Sequence, residues 1–210
     1  MKKLFGISAI LILFYACGPT GRSIHRVNDT TNLLNGVAPF TSDSMVNAVI
    51  EIPAGTNQKW EVDKITGQIE WEAVTPDSSR VVDYLPYPAN YGYVPRTLLP
   101  EALGGDGDPV DIFVLAPFIA RGTVVKVRLI GIIHMLDDNE TDSKLLAVSL
   151  DHPGFDVNDY ESLQQKYPGV ADILKTWLLH YKGPGRISNL SVGDEKEAMR
   201  FLIPATQHTF

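Results

Sequence analysis

Apolar positions along the chain follow two different periods, and the change between them divides the sequence. Val46, Ala48, Val49, Ile50 and Ile52 open a short apolar run that Pro53-Ala54-Gly55 ends, which predicts a strand closed by turn residues. Runs of the same type follow at Lys59 to Asp63, Gln68 to Ala73, Ile112 to Leu115, Val124 to Met135 and Leu145 to Leu150, and Thr66-Gly67 reads as a hairpin turn. Spacings of three and four take over late, predicting helices over Asp159 to Lys166, Gly169 to Tyr181 and Glu195 to Leu202. Strands first and helices afterwards predict an α+β fold whose core is a small antiparallel barrel or a strongly bent sheet. No internal repeat or low-complexity segment interrupts this order.

Ahead of Val46 the pattern is of another kind. Met1-Lys2-Lys3 precedes an apolar run from Leu4 to Ala16, 13 residues long, too short for an ordinary spanning helix and suited to the hydrophobic part of a secretion signal. Cys17, directly after it, resembles the lipid-attachment site of bacterial lipoproteins, although Tyr15 and Phe14 depart from that pattern. The stretch after Cys17 is rich in Gly, Ser, Thr and Asn. The expected organisation is therefore a signal peptide over residues 1–17, either lipidated at Cys17 or serving as a plain signal cut elsewhere or a retained anchor, a flexible tether over 18–45 and one domain over 46–210. It places the protein outside the cytoplasm of a bacterium, periplasmic or anchored as a lipoprotein, with the membrane touched only through the signal or its lipid.

Composition narrows the function. The 210 residues, 44% of them apolar, suffice for one well-buried domain and leave little for a second. A net charge of −7 argues against a general nucleic-acid surface, which needs a basic face. A lone cysteine excludes a disulfide framework and a Cys-rich zinc site.

Charge clustering supplies the candidate chemistry. Asp106, Asp108 and Asp111 lie within six residues in Asp106-Gly107-Asp108-Pro109-Val110-Asp111. Three carboxylates on one turn repel one another, and a hard divalent cation relieves the repulsion. Oxygen-only ligands favour Mg²⁺, Mn²⁺ or Ca²⁺ over zinc. An EF-hand is excluded, because its twelfth position, counted from Asp106, holds Pro117 in place of the bidentate Glu. A second acidic group, Asp137, Asp138, Glu140 and Asp142, falls between two predicted strands, where it is either a polar hairpin or a second wall of a polymetal site. Lys59, on one strand with Glu61, together with Tyr87, Tyr91, Tyr181 and Lys182 adds the basic and phenolic groups that a phosphate compound would need.

Taken together, these segments resemble the family I soluble inorganic pyrophosphatases. The resemblance is carried by the Asp106 to Asp111 run, Val49-Ile50-Glu51-Ile52-Pro53, Lys59-Trp60-Glu61, Asn90-Tyr91-Gly92-Tyr93, Met135-Leu136-Asp137 with Asp142 and Lys144, and His180-Tyr181-Lys182, all in family order. It implies a five-stranded OB-like barrel with peripheral helices. It also implies a metal basin of Asp106, Asp108, Asp111, Asp137 and Asp142 with Glu51 and Glu61 at its edge, holding several Mg²⁺ ions for which Mn²⁺ can substitute. Lys59, Tyr91, Lys144, Tyr181 and Lys182 would hold the phosphates, and Asp108 would be the general base toward a metal-activated water or hydroxide. The implied reaction is hydrolysis of pyrophosphate to two phosphates, and a homo-oligomer is expected.

Two stretches depart from the family pattern. Ala73 to Leu85 is longer, leaving Arg80 as the candidate for the family's phosphate-binding arginine, and Arg96 to Gly105 differs around Pro100-Glu101-Ala102. Two other readings stay open at this point. One is a binding module on an OB barrel, which would need a basic groove with stacking aromatics. The other is a phosphohydrolase with the same scaffold acting on another phosphate compound.

Overall fold

The computed structural model describes residues 31–100, 105, 107–152 and 154–206. The expected signal segment, Cys17, the first part of the expected tether and Asp106 lie outside them. Among the described residues, no helix is long and apolar enough to cross a membrane.

Among the described residues, eleven strands and three helices follow one another as β1 (Val46–Ile52), β2 (Trp60–Val62), β3 (Ile69–Trp71), β4 (Ala73–Thr75), β5 (Ser78–Ser79), β6 (Asn90–Tyr93), β7 (Asp111–Leu115), β8 (Val124–Asp137), β9 (Glu140–Thr141), β10 (Lys144–Ser149), α1 (Tyr160–Lys166), α2 (Val170–His180), β11 (Ile187–Asp194) and α3 (Glu195–Ala205). The α+β expectation holds. The main sheet is mixed: β1 pairs antiparallel with β6, β6 with β7, β7 parallel with β10, β10 antiparallel with β8, and β8 returns to pair with β1. The five strands thus pair in a cycle, and β11 adds to β8 outside it.

Close approach of β1 and β6 depends on Gly92, since a Cβ there would lie 1.8 Å from the carbonyl oxygen of Val49. The buried Asn90 beside it ties neighbouring loops together. Its Oδ1 accepts from Ile119 N at 2.9 Å and Ala54 N at 3.1 Å, and its Nδ2 donates to Pro117 O at 3.0 Å.

In β8, a break in register changes which side chains face which core. Leu146 is opposite Gly131 but Ala147 is opposite Leu129, so Ile130 is the extra residue of a bulge. Before it, Val125, Val127 and Leu129 join the core cluster beneath α3; after it, Ile132 takes that side while Ile133 and Met135 join the cluster beneath α2. A one-residue step inverts the alternation, so Asp137 ends on the same side as Met135.

Each helix start has a physical cause. Asp159 caps α1 by accepting from Ser162 N, and Asp194 caps α3 by accepting from Glu197 N. Gly169, at φ 88°, makes the left-handed turn into α2. Leu174, Trp177 and Leu178 of α2 close one core cluster, and Ala198, Leu202 and Ala205 of α3 close the other.

The expected tether does not extend to residue 45. Leu33 and Leu34 are buried in a third cluster with Val49, Trp60, Val62, Ile69 and Tyr93, Leu33 N donates to Gly67 O, and Phe40 bridges to Val46. Two adjacent leucines in a polar stretch show no period, which is why the composition of this segment suggested a tether. The expected strand Gln68 to Ala73 is also divided: β3 pairs with β2, while β4 turns away to pair with β5 in the lengthened stretch.

Candidate active site

A cleft of about 910 Å³ opens where several strand ends meet. Its plan follows from the pairings. Because β7 and β10 run parallel with Leu145 opposite Ile112, Lys144 starts its strand beside Asp111. Antiparallel β6 sets Tyr93 opposite Asp111 and Tyr91 opposite Phe113. The end of β8 brings in Asp137, and Asp142 N donates to Met135 O at 3.1 Å, which places Asp142 across from it. Glu51 comes from the end of β1, Lys59 and Glu61 from around β2, and Tyr181 and Lys182 from the chain just after α2.

The sequence-predicted residues Glu51, Lys59, Glu61, Arg80, Tyr91, Asp108, Asp111, Asp137, Asp142, Lys144, Tyr181 and Lys182 all line this one cleft. Two more groups line it that the sequence did not single out, Lys64 and Tyr93. Lys64 sits in a predicted hairpin, where a lysine is ordinarily solvated. Tyr87, one of the phenols expected from the sequence, lines it as well.

Charges in the cleft are paired. Lys144 contacts both Asp111 and Asp142, Lys182 contacts Asp137, Lys64 contacts Asp108, and Lys59 lies 3.6 Å from Glu61. Arg80 Nη1 is 3.1 Å from both carboxylate oxygens of Glu72, and Trp71 Nε1 donates to Arg80 O at 2.7 Å. Aromatic rings fix the phenols: Trp177 lies 4.4 Å from Tyr87 and stacks at 4.5 Å on Tyr181, and Tyr87 lies 5.3 Å from Tyr91.

Burial and these neighbours shift the titrations. Burial alone would lower the pKa of Lys144, but Asp111 and Asp142 outweigh it and raise it. Asp142 is raised by burial and by Asp111 despite the opposing Lys144. Burial pushes Glu51 up to about 8, against the pull of Lys59, while its Oε1 accepts from Val62 N at 2.7 Å. Tyr91 and Tyr181 are raised by burial and stay protonated as hydrogen-bond donors.

A family model described as inorganic pyrophosphatase matches residues 48–208. The chain belongs to the inorganic pyrophosphatase family. An inorganic pyrophosphatase of Campylobacter jejuni is 42% identical over 170 residues, covering 78% of this chain and 91% of the relative. One of Ralstonia nicotianae is 35% identical over 144 residues, 67% of this chain and 76% of the relative. The crystal structure of an inorganic pyrophosphatase from Thermus thermophilus superposes with a TM-score of 0.70 at 26% identity over 84% of this chain and 98% of that one. A truncated vacuolar soluble pyrophosphatase of Trypanosoma cruzi reaches 0.77 at 18% identity over 99% and 96%, a likeness of fold alone. The reaction of this pyrophosphatase is hydrolysis of pyrophosphate to phosphate.

Members of the family depend on metal ions, and the donor set of this pyrophosphatase fits hard cations. Asp108, Asp111, Asp137 and Asp142 offer only oxygen. The buried Oδ1 of Asp137 has no hydrogen-bond partner, a cost that a cation would remove. Among the described residues no three acidic or imidazole groups form a preassembled cage, and the Lys144 ammonium stands between Asp111 and Asp142. Carboxylates that share one ammonium, as Asp111 and Asp142 share Lys144, are near enough to share a cation.

Proposed function

We propose that this pyrophosphatase works with several Mg²⁺ ions, with Mn²⁺ as a substitute, and that Asp108 is its general base. The observation that carries the assignment is exposure. The Asp108 side chain is 54% exposed, against 26% for Asp111, 21% for Asp142 and 16% for Asp137. A base must reach an incoming water, and Asp108 is the most exposed of these four carboxylates.

Asp106, Asp108, Asp111, Asp137 and Asp142 hold the ions, with Glu51 and Glu61 at the edge. When bound, the ions neutralise the phosphates and acidify water in the cleft. Lys59, Arg80, Lys144 and Lys182 attract the phosphoryl oxygens, and the Tyr91 and Tyr181 hydroxyls donate to them. Together they hold the phosphoanhydride bond in line with the water from which Asp108 removes a proton. The cationic side chains then stabilise the charge that develops on the leaving phosphate.

The cyclic pairing of β1, β6, β7, β10 and β8 is read as the five-stranded OB-like barrel, with the helices peripheral to it. The apolar run before Cys17 supports export, with Cys17 as lipid anchor, and the protein is read as a homo-oligomer. The mass of the mature protein checks the anchor, since acylation adds the mass of its chains to a residue that begins the polypeptide.

The test of the mechanism is Asp108→Asn, with turnover and Mg²⁺ binding measured separately. Loss of the base is expected to cut kcat by about 10²- to 10⁴-fold while the phosphate-binding residues still take up substrate. Wild-type turnover in that variant would remove Asp108 from the role.

A further inference from the structure

On the outer side of the cleft, three side chains that play no part in the reaction scheme form a continuous polar chain. His134 Nε2 lies 3.0 Å from Glu197 Oε1, and His134 Nδ1 lies 3.0 Å from Ser143 Oγ. An ionised carboxylate only accepts, so Nε2 carries the proton, and in the neutral ring Nδ1 is left to accept from the Ser143 hydroxyl. With the ring neutral, the chain runs in one direction, Ser143 to His134 to Glu197.

Its place in the fold gives it meaning. Strand alternation separates neighbours in sequence onto opposite faces. Met135 packs beneath α2 with Ile133, and Asp137 shares that side and reaches the cleft; Ile132 packs beneath α3, and His134 shares its side. Likewise Asp142 and Lys144 reach the cleft, while Ser143 between them, 8% exposed, turns to the α3 side with Leu145. Glu197 stands in the first turn of α3, held by the Asp194 cap, whose Oδ1 accepts from Glu197 N at 2.8 Å. Gly193 makes room for it, since a Cβ there would lie 2.1 Å from Glu197 Oε2. A serine, histidine and carboxylate also suggest acyl transfer, but the Ser143 hydroxyl is buried on the side away from the cleft.

We propose that His134 and Ser143 are positioning residues for the metal edge of the cleft: the Glu197–His134–Ser143 chain latches α3 to the short connection from β8 to β10 and fixes the backbone from which Asp142 reaches inward. The inference rests on the reading of Asp137 and Asp142 as metal ligands. Outer groups of this kind orient ligands without touching the ion, and their loss weakens binding more than it alters chemistry.

Calorimetric titration of the full-length protein with Mg²⁺, without substrate, tests it, alongside kcat at saturating Mg²⁺ and thermal unfolding. Ser143→Ala and His134→Leu are expected to weaken Mg²⁺ binding about 10-fold with kcat changed less than about twofold, and His134→Gln, whose amide keeps one donor and one acceptor, to restore most of the affinity. Variants that unfold at lower temperature yet titrate like the wild type would show a merely structural network and overturn the proposal. Asp142→Asn separates the two levels. If it binds Mg²⁺ like the wild type, the ligand reading itself is wrong; if it binds weakly while the Ser143 and His134 variants do not, only the positioning role fails.

Discussion

Lys144 meets Asp111 across two parallel strands whose partner positions are Leu145 and Ile112. The Lys144 side chain is 5% exposed, and its ammonium is the shared counter-charge of Asp111 and Asp142. Lys144→Met leaves these two carboxylates facing each other with no cation between them. Removing one partner of a buried ion pair costs about 3–5 kcal/mol, so the metal-free variant should unfold at lower denaturant by that order. Saturating Mg²⁺ should return most of the loss, and denaturant titrations with chelator and with Mg²⁺ measure both quantities. Equal destabilisation under the two conditions would contradict the idea that a cation and the ammonium serve the same carboxylates.

Glu51 links pH to stability. Its pKa is about 8 in the folded protein against the usual 4.5, burial being the main cause. Folding therefore takes up a proton between these values, and the stability contributed by Glu51 is complete below about 4.5, declines as pH rises and is gone above about 8. Measured with chelator, wild-type stability should fall relative to Glu51→Gln across that window by on the order of a few kcal/mol. A constant difference between the two proteins would show that Glu51 ionises at the same pH folded and unfolded.

Arg80 is placed by its neighbours, its carbonyl accepting from the Trp71 indole and its guanidinium held at Glu72. Arg80→Ala removes a charge-assisted donor worth about 1.5–3 kcal/mol. The expected result is a fall in kcat/KM of about 10- to 100-fold with Mg²⁺ binding unaltered, read from steady-state kinetics and calorimetry. A variant with unchanged kinetics would return the search for the phosphate-binding arginine to other residues.

Leu34 is fully buried although it precedes the expected domain. Leu34→Ala should cost about 2–5 kcal/mol of stability, and a chain beginning at Val46 should lose more. Thermal and denaturant unfolding decide it; an unaffected protein would mean that the segment adds nothing to the fold.

The readable parts of the sequence were those whose signal is local. The strands β1, β7, β8 and β10 are long apolar runs, and all three helices announce themselves by spacing and by Asp or Gly at their starts. The acidic residues were legible because repulsion among close carboxylates demands a partner. What was missed depends on contacts distant in sequence. Asn90 and Gly92 are poor strand formers, yet β6 needs Gly92 for its approach to β1. In β11, Asn189 takes a positive φ of 55° where the register shifts, so no alternation survives to be read. Lys64 reaches Asp108, and His134 reaches Glu197, only once separate loops and helices are packed.

The cyclic pairing has a consequence for how the enzyme comes into being. Asp111 and Lys144 stand 33 residues apart, and they become neighbours only through a parallel pairing of β7 with β10 whose connecting chain includes all of β8. Pairings of such long sequence separation are slow to form. Until they do, Asp111 and Asp142 belong to separate segments that share no cation site. Metal ions held between those segments are thus expected to act on the finished ring, prolonging the lifetime of the native state by slowing its opening more than they speed its assembly.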